Sequence, residues 1–334
     1  VALTRAQYKV YVCVNNWRTF AGSSLKHFPV NNRVEWDAAA NGNLQDNQLA
    51  KPETVQFAPR PVPGIEIKNT FGIHSFSGLS KAYHSAPFEK TEIGKPEDYD
   101  QFIFQHIGRG ANVGTALHSI FERLNFDDPK SWEQTLKDAS KYYSNIIKEE
   151  SLDLFMQLVN HIMNTELICE SEKFALNNIT NGQKLPELEF YFSLDKVNKT
   201  EINKILEEEA DLEGEADIEG LMHGFVDLVF EYEGKFYILD WKSNHLGNSA
   251  EKYDRNGLNE AMKGSNYNLQ YMIYTVAVKR WLETRIENFD YDKQFGGIIY
   301  VFLRGVREGY ETGIYTTKPQ VTKIESLEKL LRNK

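Results

Sequence analysis

Residues 224–243 read GFVDLVFEYEGKFYILDWKS. Two runs rich in β-branched and aromatic residues flank Glu233-Gly234, the pattern of a β-hairpin. With those two residues as the loop, Tyr232 pairs with Lys235 and Asp227 faces Asp240 directly. Lys242 follows two residues on, along the same face. Directly opposed side chains have Cβ atoms roughly 5 Å apart, where like charges repel. Large apolar residues occupy both faces of both strands (Phe225, Val226, Leu228 and Phe230 against Tyr237, Ile238 and Leu239), so the pair is expected to be buried. Two carboxylates in that setting need a compensating cation, either a hard metal ion or the nearby ammonium. A plain buried salt bridge from Lys242 is one reading. The other is a divalent ion on Asp227 and Asp240, with Lys242 beside it, activating a water and stabilising charge on a phosphate. Glu-Gly is a poorer type I′ turn than Asn-Gly, and a longer loop would shift this register.

The Asp…Asp-x-Lys order on a hairpin resembles motifs II and III of the PD-(D/E)XK nuclease superfamily. The longer stretch GFVDLVFEYEGKFYILDWKSNHLG is similar to the nuclease domains of the RecB family, the beta subunits of exodeoxyribonuclease V. The resemblance implies an α/β, restriction-endonuclease-like core: a central mixed β-sheet flanked by helices, preceded by an irregular N-terminal linker region.

The 334 residues suit one to three domains, and 41% hydrophobic with 26% charged residues is ordinary globular composition. No apolar run approaches 18 residues, and no signal-peptide core is seen, so a cytoplasmic location is expected. The chain opens at Val1 inside what resembles a motif, so it is read as a piece of a longer protein. Cys13 and Cys169 are the only cysteines, which excludes an all-cysteine iron–sulfur or zinc site within the chain. Relatives carrying a four-cysteine cluster are therefore a poorer match. The net charge of −10 argues mildly against a nucleic-acid binder. Much of it resides in residues 207–219, EEEADLEGEADIE, read as a solvated loop inserted before the hairpin. DNA contacts then fall to local basic patches or to a partner subunit.

Three regions are expected along the chain. Residues 1–20 include VALTRAQ, which resembles motif VI of superfamily 1 helicases and would make Arg5 an ATP-sensing remnant. No G-x-x-x-x-G-K-[ST] occurs, so neither helicase nor ATPase activity is expected. Residues 21–104, rich in Asn and Pro, read as a linker with one docked element around Gly72 to Tyr83. Residues 105–334 read as the nuclease domain.

Within that domain, Val113, Leu117, Ile120, Phe121 and Leu124 repeat at helical spacing, with Asn112 as N-cap. His118 sits at the edge of the stripe, where a histidine is ordinarily a satisfied boundary residue. GTALHSIFERLNF, however, resembles the RecB segment whose His is a metal ligand, and Glu122 one turn on reads as a surface charge. Helices are expected over 132–148 and 152–164. In the strand LPELEFYFSL (185–194), Glu187 and Glu189 share one face, as they would in a merely solvent-facing strand. The family places an active-site acid just before an aromatic here, so Glu189 matches best and Glu187 is the reserve. Residues 267–284 form a helix apolar nearly all round. Gln270 and Tyr274, four apart, match the family's Q-x-x-x-Y, which contacts DNA and orients the site. Residues 296–306 read as a central strand in which Arg304 either meets a phosphate or caps the sheet, and 320–334 as a charged helix.

The resemblance thus implies a metal-dependent DNA nuclease that trims duplex ends in recombinational repair, alongside RecC and RecD subunits and the RecA recombinase. By the same resemblance Mg²⁺ is held by His118, Asp227, Asp240 and the main-chain carbonyl of Trp241. Mn²⁺ substitutes, and Ca²⁺ binds without supporting catalysis. Lys242 orients or deprotonates the attacking water, and Glu189 assists the metal shell. A non-catalytic docking domain for RecC or RecA, or another metal phosphohydrolase, are the competing readings.

Overall fold

In the computed structural model Glu233 and Gly234 both take positive φ, 49° and 77°. That is the type I′ geometry whose twist matches the flanking strands, so the short loop forms despite its glutamate. The structure describes residues 71–76, 96, 98–207 and 217–332. The expectations for Arg5, Cys13, most of the linker and most of the acidic run lie outside them.

The hairpin strands are β5 (Ile218–Tyr232) and β6 (Lys235–Lys242), and their ladder runs from Tyr232↔Lys235 to Leu228↔Leu239. This is the expected register. Along one edge β5 pairs antiparallel with β4 (Lys184–Val197). Its other edge is shared: β1 (Phe71–His74) runs parallel to it at 219–222, and β6 pairs with it at 228–232. β7 (Phe295–Phe302) then lies parallel to β6, and β8 (Ile314–Thr317) antiparallel to β7. The result is a mixed six-stranded sheet. β1 is the start of the expected docked element, so part of the presumed linker belongs to the sheet. A Cβ on Gly220 would sit 1.8 Å from the Gly72 carbonyl oxygen, so only glycine admits β1 at this distance. β2 (Leu167–Cys169) and β3 (Glu172–Phe174) form a separate hairpin.

Helices cover the sheet. A short α1 (Tyr99–Gln101) runs into a π-helical turn at Phe102–His106. α2 (Ala111–Arg123) is capped by Gly110 rather than by Asn112, which falls inside the first turn. α3 (Pro129–Tyr142) ends six residues before the expected boundary, whereas α4 (Leu152–Asn164) matches its expected limits. α5 (Lys199–Leu206) precedes the acidic run, and α6 (Arg255–Gly264) follows the hairpin. α7 (Tyr267–Glu283) is buried nearly all round. The one-turn α8 (Tyr291–Gln294) leads into β7, and α9 (Val321–Arg332) closes the fold. Lys279 and Arg280 of α7 pin α9 through Glu328, at 3.0 and 2.9 Å. Among the described residues no helix is long and apolar enough to cross a membrane.

Candidate active site

Because β1 and β6 share one edge of β5, residues 223–227 have no strand partner on that edge among the described residues. Asp227 and Asp240 are opposed just past the last ladder pair, where β6 parts from β5. The backbone bond lost there is replaced by a side chain: the Trp241 N–H donates to Asp227 Oδ2 at 2.9 Å.

α2 closes one side. Phe121 stacks on Trp241 with ring centroids 4.7 Å apart, and three residues earlier His118 Nδ1 comes within 3.4 Å of Asp227 Oδ2. Burial pushes the His118 imidazole down, while the Asp240 charge and a hydrogen bond donated by the ring to the Trp241 main chain favour its charged form. Burial first, and then the Asp240 charge, push the Asp227 carboxyl up to about 8. A carboxyl held beside a second acid and partly buried favours its neutral form unless a cation is close by.

α7 closes the other side. Lys242 Nζ forms an ion pair with Asp240 Oδ2, donates to Gln270 Oε1 at 3.0 Å, and sits 4.1 Å over the Tyr267 ring. Tyr300 donates to the same Gln270 oxygen at 3.0 Å, and Gln270 Nε2 donates to the Tyr274 hydroxyl at 3.0 Å. The Gln270 amide is thereby locked with its oxygen toward the lysine. Burial alone would pull Lys242 down, but Asp240 and its other neighbours more than reverse this. Lys242 therefore remains an ammonium.

The residues suit a divalent cation. Asp240 Oδ2 is buried and accepts no hydrogen bond of regular geometry, and it forms an ion pair with Lys242. His118, Asp227 and the opposed Asp240 border the gap, a mixed N/O set of donors. Among the described residues no three His, Cys, Asp or Glu side chains are gathered as a ready-made ion cluster. Asp240 is turned to the lysine instead.

Three expectations need correction. Glu189 does not approach the acid pair: it is exposed, accepts from Tyr191 OH at 2.7 Å, and lies 3.0 Å from His223 Nε2. Glu187 is the acid opposite Asp227, since Pro186 pairs with Leu228 and Leu188 with Val226. Burial first, and then the Glu187 charge, push Glu122 up, and Glu187 adds last to the rise of Asp227 that burial and Asp240 dominate. Glu122, expected to be a plain surface charge, is accordingly half-buried beside the site. Arg304 is wholly buried and donates to the carbonyls of Ser243 (3.0 Å), Ile103 (2.6 Å), Ile107 (3.0 Å) and Gly108. It braces the strand-to-loop exit beyond Lys242 and has no atom free for a phosphate. Tyr267 and Tyr300, which cradle Lys242, carried no motif in the sequence.

A profile of the PD-(D/E)XK nuclease superfamily matches residues 98–333. The chain belongs to this superfamily. It is 27% identical over 315 residues to the RecBCD enzyme subunit RecB of Escherichia coli (strain K12), covering 89% of this chain and 26% of that protein. With the RecB subunit of Haemophilus influenzae it shares 33% identity over 289 residues, covering 78% of this chain and 24% of the relative. The corresponding subunit of Mycobacterium tuberculosis (strain ATCC 25618 / H37Rv) is 23% identical over 358 residues, 89% of this chain and 32% of that protein. The chain thus spans about a quarter to a third of these relatives. PD-(D/E)XK nucleases are typically dependent on divalent metal ions, in keeping with the carboxylate pair at the splayed end of β5 and β6.

Proposed function

We propose that this chain is the nuclease domain of a RecBCD-type helicase–nuclease and hydrolyses DNA phosphodiester bonds at processed duplex ends. The observation that carries the reading is the grouping of His118, Asp227, Asp240 and Lys242 around the gap where β6 leaves β5. His118, Asp227, Asp240 and the Trp241 carbonyl would hold Mg²⁺, with Mn²⁺ well suited to the imidazole and Ca²⁺ binding without turnover. When bound, the cation supplies neutralisation of phosphate charge and acidification of an attacking water.

The chain's own residues do the rest. Lys242 presents a fixed ammonium where negative charge develops on the phosphoryl oxygens, its position set by Gln270 and by the faces of Tyr267 and Tyr300. Tyr274 holds the Gln270 amide from behind. Glu187, opposite Asp227 on β4, takes the supporting place beside the metal shell that the resemblance gave to Glu189. The similarity to RecB subunits suggests assembly with RecC and RecD type subunits, engagement of RecA, and a cytoplasmic setting in DNA repair.

The test uses the 334-residue chain with end-labelled linear single-stranded DNA, in Mg²⁺ or in chelator, beside Asp240→Ala and His118→Ala. Cleavage is expected in Mg²⁺ alone, and in neither variant. Cleavage that persists in chelator or in Asp240→Ala would overturn the reading.

A further inference from the structure

On the outer face of β4 and β5 a row of rings stands open to solvent beside the acid pair. Tyr191 is 58% exposed and Phe225 45% exposed, large values for aromatic rings in a folded sheet. Tyr191 and His223 are direct cross-strand partners, stacked with centroids 4.3 Å apart and planes 5° from parallel. Phe225 packs edge-on to His223 at 5.1 Å. Glu189 accepts from Tyr191 OH and binds His223 Nε2, so the stack is held in place rather than rotating freely. Strand side chains alternate faces, so His223, Phe225 and Asp227 project on the same side. The burial of the intervening Val226 and Leu228 bears this alternation out. The ring row therefore runs directly into the acid pair.

We infer that Tyr191, His223 and Phe225 form a stacking platform for the bases of single-stranded DNA, delivering the strand to Asp227 and Asp240. The inference rests on the nuclease reading above. The chain carries a net charge of −10, so long-range attraction for a phosphate polymer works against binding. Ring faces grip bases without that attraction and without sequence preference, because every base has a π-face. Bases paired in a duplex do not offer those faces, so the platform selects single strands. The row's continuity with the acid pair favours a DNA strand over a protein partner as its occupant.

The experiment measures binding of a fluorescein-labelled oligo(dT) 20-mer, and of a blunt duplex of equal length, by anisotropy in chelator. The proteins are the parent chain, Tyr191→Ala, Phe225→Ala, the double variant, Tyr191→Phe and Phe225→Trp. Each ring removed is expected to weaken single-strand binding at least about fivefold, the low end of one base–aromatic stack. Tyr191→Phe retains most of the affinity. Phe225→Trp binds at least as well as the parent and adds oligonucleotide-dependent quenching beyond that of the parent's five tryptophans. Unchanged single-strand affinity in the double variant, with no added quenching in Phe225→Trp, overturns the platform and leaves this face to a protein partner. That result is distinguishable from failure of the nuclease reading, which shows as absence of Mg²⁺-dependent cleavage by the parent chain whatever its affinity.

Discussion

Replacing Arg304 by Met separates the two roles its position first suggested. Its guanidinium donates to four main-chain carbonyls, on Ser243, Ile103, Ile107 and Gly108, and the side chain is fully buried. Methionine fills much of the space but donates nothing, leaving the Ile103 and Ile107 carbonyls unpaired in a dry environment and those of Ser243 and Gly108 unpaired in a partly buried one. An unsatisfied buried acceptor costs ~1–3 kcal/mol. Taking the low end for each of the four, because nearby losses are not additive, gives a destabilisation of ~4 kcal/mol. In a domain of this size that lowers Tm by roughly 8–16 °C. Arg304→Lys keeps the charge but cannot span four carbonyls, and should fall between parent and Met. Urea denaturation followed by far-UV circular dichroism measures both. A loss below ~1 kcal/mol, the behaviour of a surface residue, together with weaker DNA binding, would refute the buried clamp and restore a phosphate-contacting arginine.

Gln270→Ala removes the acceptor shared by Lys242 and Tyr300, and single-turnover cleavage should slow roughly 10–100-fold as the ammonium loses its position, with Tyr274→Phe milder. A normal rate in Gln270→Ala would show that Lys242 is positioned by Asp240 alone. Burial pushes Glu328 up, but hydrogen bonds from Arg280 and Lys279 outweigh it and leave its pKa below the ordinary glutamate value. A depressed folded-state pKa gives stability that is present above the unfolded value and lost as pH falls through the folded one. The urea midpoint of the parent should therefore drop more steeply below about pH 4.3 than that of Glu328→Gln, and equal slopes would contradict the assignment. Glu233→Asn places a residue tolerant of positive φ at the first turn position and should stabilise by ~0.5–1 kcal/mol, whereas Gly234→Ala should destabilise. A stabilising Gly234→Ala in thermal melts would argue against the type I′ turn.

How much of the site was legible depended on how far apart in the chain its parts lie. The hairpin could be read because a two-residue turn fixes register locally, and register alone opposes Asp227 to Asp240. Gln270 and Tyr274 could be read because four residues of helix place them on one face, and His118 could be read from its resemblance to a family motif. Tyr300 could not: it meets Lys242 only because β7 runs parallel to β6 with Asp240 opposite Tyr300, a register set across an intervening 50-odd residues. The family match favours Glu189 over Glu187, but alternation assigns the two only a shared face and not a neighbour. The pairing of β4 with β5 sets one of them against Asp227 and the other among aromatic rings. Arg304 was read as an even choice between phosphate and sheet. Its carbonyl partners near 103–108 lie some two hundred residues away and converge only after folding.

The sequence by itself determined the hairpin, the acid pair with its lysine, the buried helix after it and the family. The hairpin and the helix depend on periodicities and turn chemistry that act over a few residues, and the family on the resemblance of short motifs. Only the tertiary structure decided where β6 leaves β5, which glutamate faces the acids, what cradles Lys242 and which rings stay open to solvent. Each of those follows from how separate strands and helices pack, and packing is a property of the whole chain rather than of any one stretch.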